Sequence, residues 1–372
     1  MRSPMDKEAF LQFYKNTIFG YSKSMQERIC KKLKEQKLIT FNLQGTLEDD
    51  EDILFFKQKS DYQTIIESTC SNEKFAAFYE QWEFSKLFKY SVPLFFKSTD
   101  GKDIKDILIS KKVIEFTAEQ FKPDYILDED IKNACPIYFI TDDTVMLKFV
   151  LQKMYYQPET HEQVEYRYPI VISIFDNFLD IRFDQLRYSN TINIVSRDAY
   201  EKIVFECILW LQNELGLELY KCDHTDIIKV INDRNDTSVV MYKQMMELSS
   251  GGAAELTASD NRDYVLPFIG EIRELIEENN DLFSQNDEIK KLLLQYLEDK
   301  EATANYPYIY IKWKKPVVTK SYVVKVIFDY LNHQYTMLQH NTGECRILEM
   351  ERMNNAIKYL CTSSSFIKGE KI

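Results

Sequence analysis

The chain has 372 residues and a net charge of −12, and 45% of its residues are hydrophobic and 28% charged. These values are typical of a packed, soluble protein and argue against a disordered chain. Only 9 glycines are present, and no G-x-G-x-x-G, G-x-x-x-x-G-K-[ST] or G-x-S-x-G motif occurs, which excludes the commonest nucleotide-binding and hydrolase classes.

The distribution of apolar and cysteine residues indicates the compartment. The sequence contains no apolar run of the length that a membrane span needs. Acidic residues follow Met1 closely, which is unlike a secretory signal. The 7 cysteines are scattered and form no C-x-x-C pair. We therefore expect a reduced protein in the cytoplasm with no membrane partner.

Residues 1–135 are predicted to be mostly helical. Apolar residues recur at spacings of three and four from Phe10 to Ile18 and again from Met25 to Leu33, which predicts two helices separated at Gly20. A further helical pattern runs from Ser71 to Tyr90, with Ser71 or Asn72 as its N-cap.

Residues 136–248 are predicted to form a central antiparallel sheet with helices. Runs rich in β-branched and aromatic residues, joined by short polar connections, predict an antiparallel meander. Its strands are predicted at Ile137–Ile140, Val145–Tyr156, Val164–Phe175 and Phe178–Phe183. A helix with an apolar stripe from Tyr200 to Leu215 follows, and Gly216 is placed to cap its C-terminus.

The polar stretch from Ser249 to Asn261 is predicted to be a loop and a domain boundary. Residues 262–372 then read as a C-terminal α+β module with a helical pair, a β-hairpin and a closing helix. Its predicted strands are Tyr306–Trp313, Tyr322–Tyr330 and Gln334–Gln339, and its closing helix spans Leu348–Leu360. The fold class predicted for the whole chain is α+β, with two or three domains.

The C-terminal strands carry the strongest indication of a binding site. From Asn305 to Ile372 there are 10 basic and 5 acidic residues, and the lysines alternate with aromatic rings. Cations neutralise phosphates and flat rings stack on bases, as nucleic-acid binding requires. The candidate residues are Tyr310, Lys312, Trp313, Lys314, Lys315 and Lys320. The alternative interpretation is an exposed edge strand that lysines protect from aggregation.

An enzymatic alternative depends on three acids near the third and fourth meander strands. Asp176, Asp180 and Asp184 could hold Mg²⁺ in a metal-dependent nuclease or phosphodiesterase. Arg182, however, stands where such enzymes use a lysine with a tunable pKa. Asp180, Arg182 and Asp184 alternate with apolar residues, so a half-buried strand with a solvated polar face explains the same pattern.

No metal site is predicted. Structural zinc needs four Cys or His ligands, usually in paired short spacings. Cys222 and His224 form one small group, and His333, His340 and Cys345 form another. Neither group supplies four ligands, so no metal and no other cofactor is expected outside the nuclease alternative.

The function expected from the sequence is non-catalytic. We expect a nucleic-acid-binding or interaction protein that acts through its basic C-terminal module on DNA, RNA or an acidic protein. A scaffold subunit of a protein complex is the third alternative. The abundance of Lys, Asn, Ile and Tyr is typical of an AT-rich genome, which suggests a bacterium or its mobile elements and a role in phage defence.

Overall fold

The computed structural model describes most of the chain. The described residues are 6–42, 53–57, 60–99, 101–122, 127–141, 144–157, 161–187, 197–222, 227, 230–231, 238–247, 253–257, 267–303, 305–314, 321–328, 330, 335–340 and 349–363. Within these ranges, no helix combines the length and the apolar character needed to cross a bilayer.

The predicted α+β class is confirmed. The described helices are α1 Lys7–Phe19, α2 Lys23–Glu35, α3 Tyr62–Cys70, α4 Ala76–Ser85, α5 Ile104–Ser110, α6 Arg197–Leu215, α7 Pro267–Glu278, α8 Asn280–Phe283, α9 Asp287–Thr303 and α10 Glu349–Ser363. The described strands are β1 Ile39–Asn42, β2 Leu54–Lys57, β3 Tyr90–Ser98, β4 Ile114–Glu115, β5 Ile137–Thr141, β6 Thr144–Gln157, β7 Glu162–Ile174, β8 Phe178–Phe183, β9 Leu217–Lys221, β10 Val239–Glu247, β11 Ala253–Thr257, β12 Tyr308–Trp313, β13 Tyr322–Ile327 and β14 Met337–His340.

The chain divides into two compact units. The first unit comprises Met1–Lys89 and Phe95–Leu219, and the second comprises Tyr90–Leu94 and Tyr220–Ile372. The main division along the chain therefore falls between Leu219 and Tyr220, whereas composition had pointed to 135 and to the stretch from 249 to 261. Composition marks polar segments, while the units are defined by contacts between residues distant in sequence.

Two predicted secondary-structure assignments are wrong. The helix predicted to run to Tyr90 ends at Ser85, because Lys86 adopts an extended backbone and strand β3 begins at Tyr90. The stretch predicted as a loop around Gly251 contains strand β11, whose five residues pair antiparallel with β10. Pairing with a neighbouring strand outweighs the weak strand propensity of its alanines.

In the first unit, the predicted meander is confirmed. Strands β5, β6, β7 and β8 pair antiparallel in chain order. Gly216 has a φ of +62° directly after α6, as the predicted C-terminal cap requires. Trp210 of α6 contacts Phe149 edge-on, and Tyr200 of α6 stacks on Phe183, so α6 covers the apolar face of the meander.

The opposite face of the meander is also buried and carries charged side chains. The register places Lys148 opposite Val171 and Val171 opposite Arg182, so the three side chains share one face. Arg167 and Asp180 belong to this face by the two-residue period, and all four charged residues are buried. The expectation of a solvated polar face on β8 is therefore wrong.

Helices α1 and α4 supply partners for Lys148 and Arg167. Lys148 Nζ lies 2.6 Å from Glu80 Oε1 and 3.0 Å from Glu83 Oε2. Arg167 Nη2 lies 2.8 Å from a carboxylate oxygen of each of these glutamates. Tyr14 of α1 donates a hydrogen bond to Glu80. We call Glu80, Glu83, Lys148 and Arg167 the buried charge cluster; its two negative and two positive charges balance.

The pKa of Glu83 reflects this pairing. Burial raises the pKa of a carboxyl group by disfavouring the charged form, but Arg167 and Lys148 oppose this effect. The two cations outweigh burial and lower the pKa of Glu83 to about 2. The carboxylate therefore remains ionised inside the protein at neutral pH.

In the second unit, a sheet follows the order β11-β10-β12-β13-β14, with β3 residues next to β14. The pairing of β13 with β14 confirms the predicted hairpin, although its turn lies outside the described residues. One face of this sheet is packed against α10. Asn355 of α10 donates a hydrogen bond to Tyr322, and Tyr359 of α10 contacts Trp313 edge-on.

Breaking the buried charge cluster should strongly destabilise the protein. We expect Arg167→Met to lower the free energy of unfolding by about 3–5 kcal/mol, because it leaves two buried carboxylates with one cation. Lys31→Met, which removes an exposed ion pair with Glu35, should cost less than about 1 kcal/mol. Urea denaturation of both variants measures the difference, and equal losses would contradict a structural role for the cluster.

The cluster also predicts a pH dependence of stability. A carboxyl group whose pKa is lower in the folded state stabilises the protein above its unfolded pKa, 4.5 for Glu83, and this contribution is lost as pH falls towards about 2. Glu83→Gln cannot titrate, so its stability should fall less steeply over that window than that of the natural protein. Denaturant midpoints measured at a series of pH values provide the test, and parallel curves would argue against it.

Candidate nucleic-acid interface

Strand β12, which carries the predicted basic residues, lies inside the sheet of the second unit. It pairs with β10 on one side and with β13 on the other, both antiparallel. The alternative interpretation of a lysine-protected edge strand is therefore wrong. Its lysines need another explanation, because the backbone groups of an interior strand are already paired.

One face of this strand is buried and the other is partly exposed. Ile309, Ile311 and Trp313 are buried, whereas Tyr308, Tyr310 and Lys312 are half-buried, in strict alternation along β12. Register places Lys325 of β13 and Lys243 of β10 opposite Tyr310, one on each side. We call Lys243, Tyr308, Tyr310, Lys312 and Lys325 the open face.

Lysines and aromatic rings contact one another across the open face. Lys325 Nζ lies 3.5 Å from the ring centroid of Tyr308 and 5.5 Å from that of Tyr310. Lys243 Nζ lies 5.6 Å from the centroid of Tyr310, and Lys312 Nζ lies 5.2 Å from that of Tyr242. These cation–π contacts hold the ammonium groups against the rings, at the surface of the sheet.

One acid, Glu255 of β11, orders part of the open face. It forms an ion pair with Lys243 and accepts a hydrogen bond of 2.8 Å from Tyr308 Oη. This hydrogen bond, followed by partial burial, raises the pKa of Tyr308 to about 12. Partial burial lowers the pKa of Lys325, and the negative charge of Glu255 opposes this lowering in part.

The structure distributes the six candidate residues over several environments. Tyr310 and Lys312 belong to the open face, and Lys314 is half-buried just beyond the end of β12. Trp313 is only 4% exposed and stacks on Tyr322 with ring centroids 5.0 Å apart, so its ring is not accessible to a base. Lys315 and Lys320 lie outside the described residues.

The three acids of the nuclease alternative have separate surroundings. Asp176 is exposed between β7 and β8, whereas Asp180 is fully buried and accepts a hydrogen bond of 2.7 Å from Arg182 Nε. Asp184 pairs with Lys86 and accepts a hydrogen bond from the backbone N–H of Lys89. Among the described residues, no group of three acids, histidines or cysteines is arranged to hold a metal ion.

Sequence reasoning missed the contribution of β10 and β11 to the open face. Lys243, Tyr242 and Glu255 precede β12 by more than fifty residues, and only strand pairing brings them beside it. The sequence signal for β10 is its apolar run from Val239 to Tyr242. A two-residue period would place Lys243 on the buried face with Val239 and Met241, but a register shift between Met241 and Lys243 moves it to the open face.

No protein-family model matches this chain, and no curated protein matches it significantly.

Removing the carboxylate of Glu255 should change the ionisation of Tyr308. We expect Glu255→Gln to lower the pKa of Tyr308 from about 12 towards the usual 10, because the phenol would no longer donate to a charged acceptor. NMR titration of ring-labelled tyrosine, with Tyr308→Phe to assign the signal, measures this shift. An unchanged pKa would show that Glu255 does not order the open face in solution.

Proposed function

We propose that the protein is a non-catalytic nucleic-acid-binding protein that takes single-stranded DNA or RNA on the open face of its second unit. The observation that carries the proposal is the partly exposed interior strand β12, with Tyr310 flanked by Lys325 and Lys243 on the neighbouring strands. A half-exposed sheet face built of tyrosines and lysines suits stacked bases and their phosphates.

The chemistry favours single strands over duplexes. Bases in a duplex present only their edges, whereas those of a single strand can unstack and lie on an aromatic ring. The ammonium groups of Lys312 and Lys325 already contact tyrosine rings. They can turn to phosphates while the rings receive bases, so one set of side chains provides both functions.

The local charge supports this use of the open face despite the acidic character of the chain. Lys243, Lys312 and Lys325 together with Glu255, the acid that pairs with Lys243, carry a charge of +2, although the protein carries −12. Phosphate binding depends on the local field within about a Debye length, roughly 8–10 Å at moderate salt. We also propose that the protein is cytoplasmic, since the described cysteines are all thiols. A role in phage defence or mobile-element biology is part of the same proposal.

The proposal predicts a loss of binding when the lysines of the open face change sign. Labelled single-stranded oligonucleotides should bind at about 50 mM salt and much more weakly at about 200 mM. Lys312→Glu/Lys325→Glu should weaken binding by at least about tenfold and reduce the salt dependence by about one unit of slope per lysine. Fluorescence anisotropy at a series of salt concentrations measures both effects.

Matched controls separate this site from general electrostatics. Lys31→Glu/Lys111→Glu makes the same charge change at exposed lysines of the first unit and should leave binding nearly unchanged. Tyr310→Ala should weaken single-strand binding more than any duplex binding. Absence of binding at the lower salt would refute the proposal and favour an acidic protein partner, and cleavage that requires Mg²⁺ would favour the nuclease alternative.

A further inference from the structure

Helix α9 has an apolar surface wider than the part that its own fold covers. Leu293, Leu294 and Leu297 pack in a cluster with Ile276 of α7. Ile289 and Leu292 lie outside this cluster and are 50% and 69% exposed. Their spacing of three residues places them on one side of the helix.

Exposed apolar residues are concentrated in this helical group. Among the described residues, eleven large hydrophobic side chains are exposed, and five of them fall between 275 and 296. Tyr296 follows Ile289 by two helical turns, and Leu275 and Leu282 belong to α7 and α8. We call Ile289, Leu292 and Tyr296, which share one side of α9 by their spacing, the apolar stripe. Such a concentration marks an interaction surface more often than single exposed residues do.

The charges beside the apolar stripe restrict what can cover it. From Pro267 to Thr303 the sequence has ten acidic and four basic residues, a net charge of −6. Five acids of this segment, Glu277, Glu278, Asp281, Asp287 and Glu288, are exposed, and so is Lys291, so acids are in excess. A second copy of the same surface would bring like charges together, and an anionic membrane would be repelled.

We infer that the apolar stripe is the docking site for a basic amphipathic helix of a partner protein. The partner's apolar residues, at spacings of three and four, would cover Ile289 and Leu292. Its lysines or arginines would face the exposed acids of α7, α8 and α9. This charge complementarity would fix the orientation of the bound helix and increase its association rate. This surface is separate in sequence and opposite in charge from the open face, so either site can exist without the other.

A designed peptide tests this inference on the full-length protein. The probe is a fluorescent helical peptide of about 20 residues, about 30 Å long, with a leucine stripe flanked by lysines. We expect it to bind, and Ile289→Ser/Leu292→Ser to weaken binding by about tenfold or more, because two anchoring contacts are lost. The matched control is Ile109→Ser/Ile114→Ser, which alters residues of similar exposure, 55% and 68%, in the first unit and should leave affinity unchanged.

Several outcomes would overturn the inference. Equal binding by a peptide with glutamates in place of the lysines would remove the role of charge. Undiminished binding to Ile289→Ser/Leu292→Ser, or no binding by the basic peptide, would remove the site. Dimerisation that this variant abolishes would identify a second copy as the occupant. Binding to phosphatidylserine vesicles that it abolishes would identify a membrane instead.

Discussion

The balance of charges buried between the meander and the N-terminal helices is the constraint on which the first unit depends. Lys148 and Arg167 are buried on one face of the sheet. A buried cation without a partner lowers the free energy of unfolding by several kcal/mol. Glu80 and Glu83 of α4 neutralise both cations. This face of the sheet can therefore exclude water only when α4 packs on it. The folding of α4 is thus coupled to that of β6 and β7, which are distant from it in sequence. Glu83 remains ionised for the same reason.

The two units use charged and aromatic residues in opposite ways. In the first unit, Arg167 contacts carboxylates and the ring of Tyr14, whose centroid lies 4.1 Å from the guanidinium carbon. Its charge is therefore neutralised inside the fold. In the second unit, Lys325 rests on a tyrosine ring at a half-exposed surface. A cation in the first setting contributes to stability and specificity of packing, whereas one in the second is available to a ligand. The degree of burial therefore distinguishes the structural charges from the candidate binding charges. Residue type does not, because both sets consist of basic side chains beside aromatic rings.

Local sequence patterns were sufficient for most elements and insufficient for their surroundings. The meander, the helices around Gly20 and the capping role of Gly216 could be predicted, because each depends on a period or a backbone preference within a short segment. The alternation along β8 was equally clear, yet it was assigned to a half-buried strand. Alternation distinguishes two faces but does not show that a second layer covers the polar one. Likewise, the lysines of β12 were visible, but their position inside a sheet was not.

The sequence by itself determined the α+β class, the order of most elements and the presence of a lysine- and tyrosine-rich strand near the C-terminus. Periodicity, turn residues and composition act over a few residues, so they can be read directly from the chain. Only the tertiary structure decided that Asp180 and Arg182 are buried partners, that Trp313 belongs to a core, and that Lys243 lies beside Tyr310. These outcomes depend on strand pairing and layer packing between residues far apart in sequence, including a register shift in β10 that reverses which side chains reach the open face.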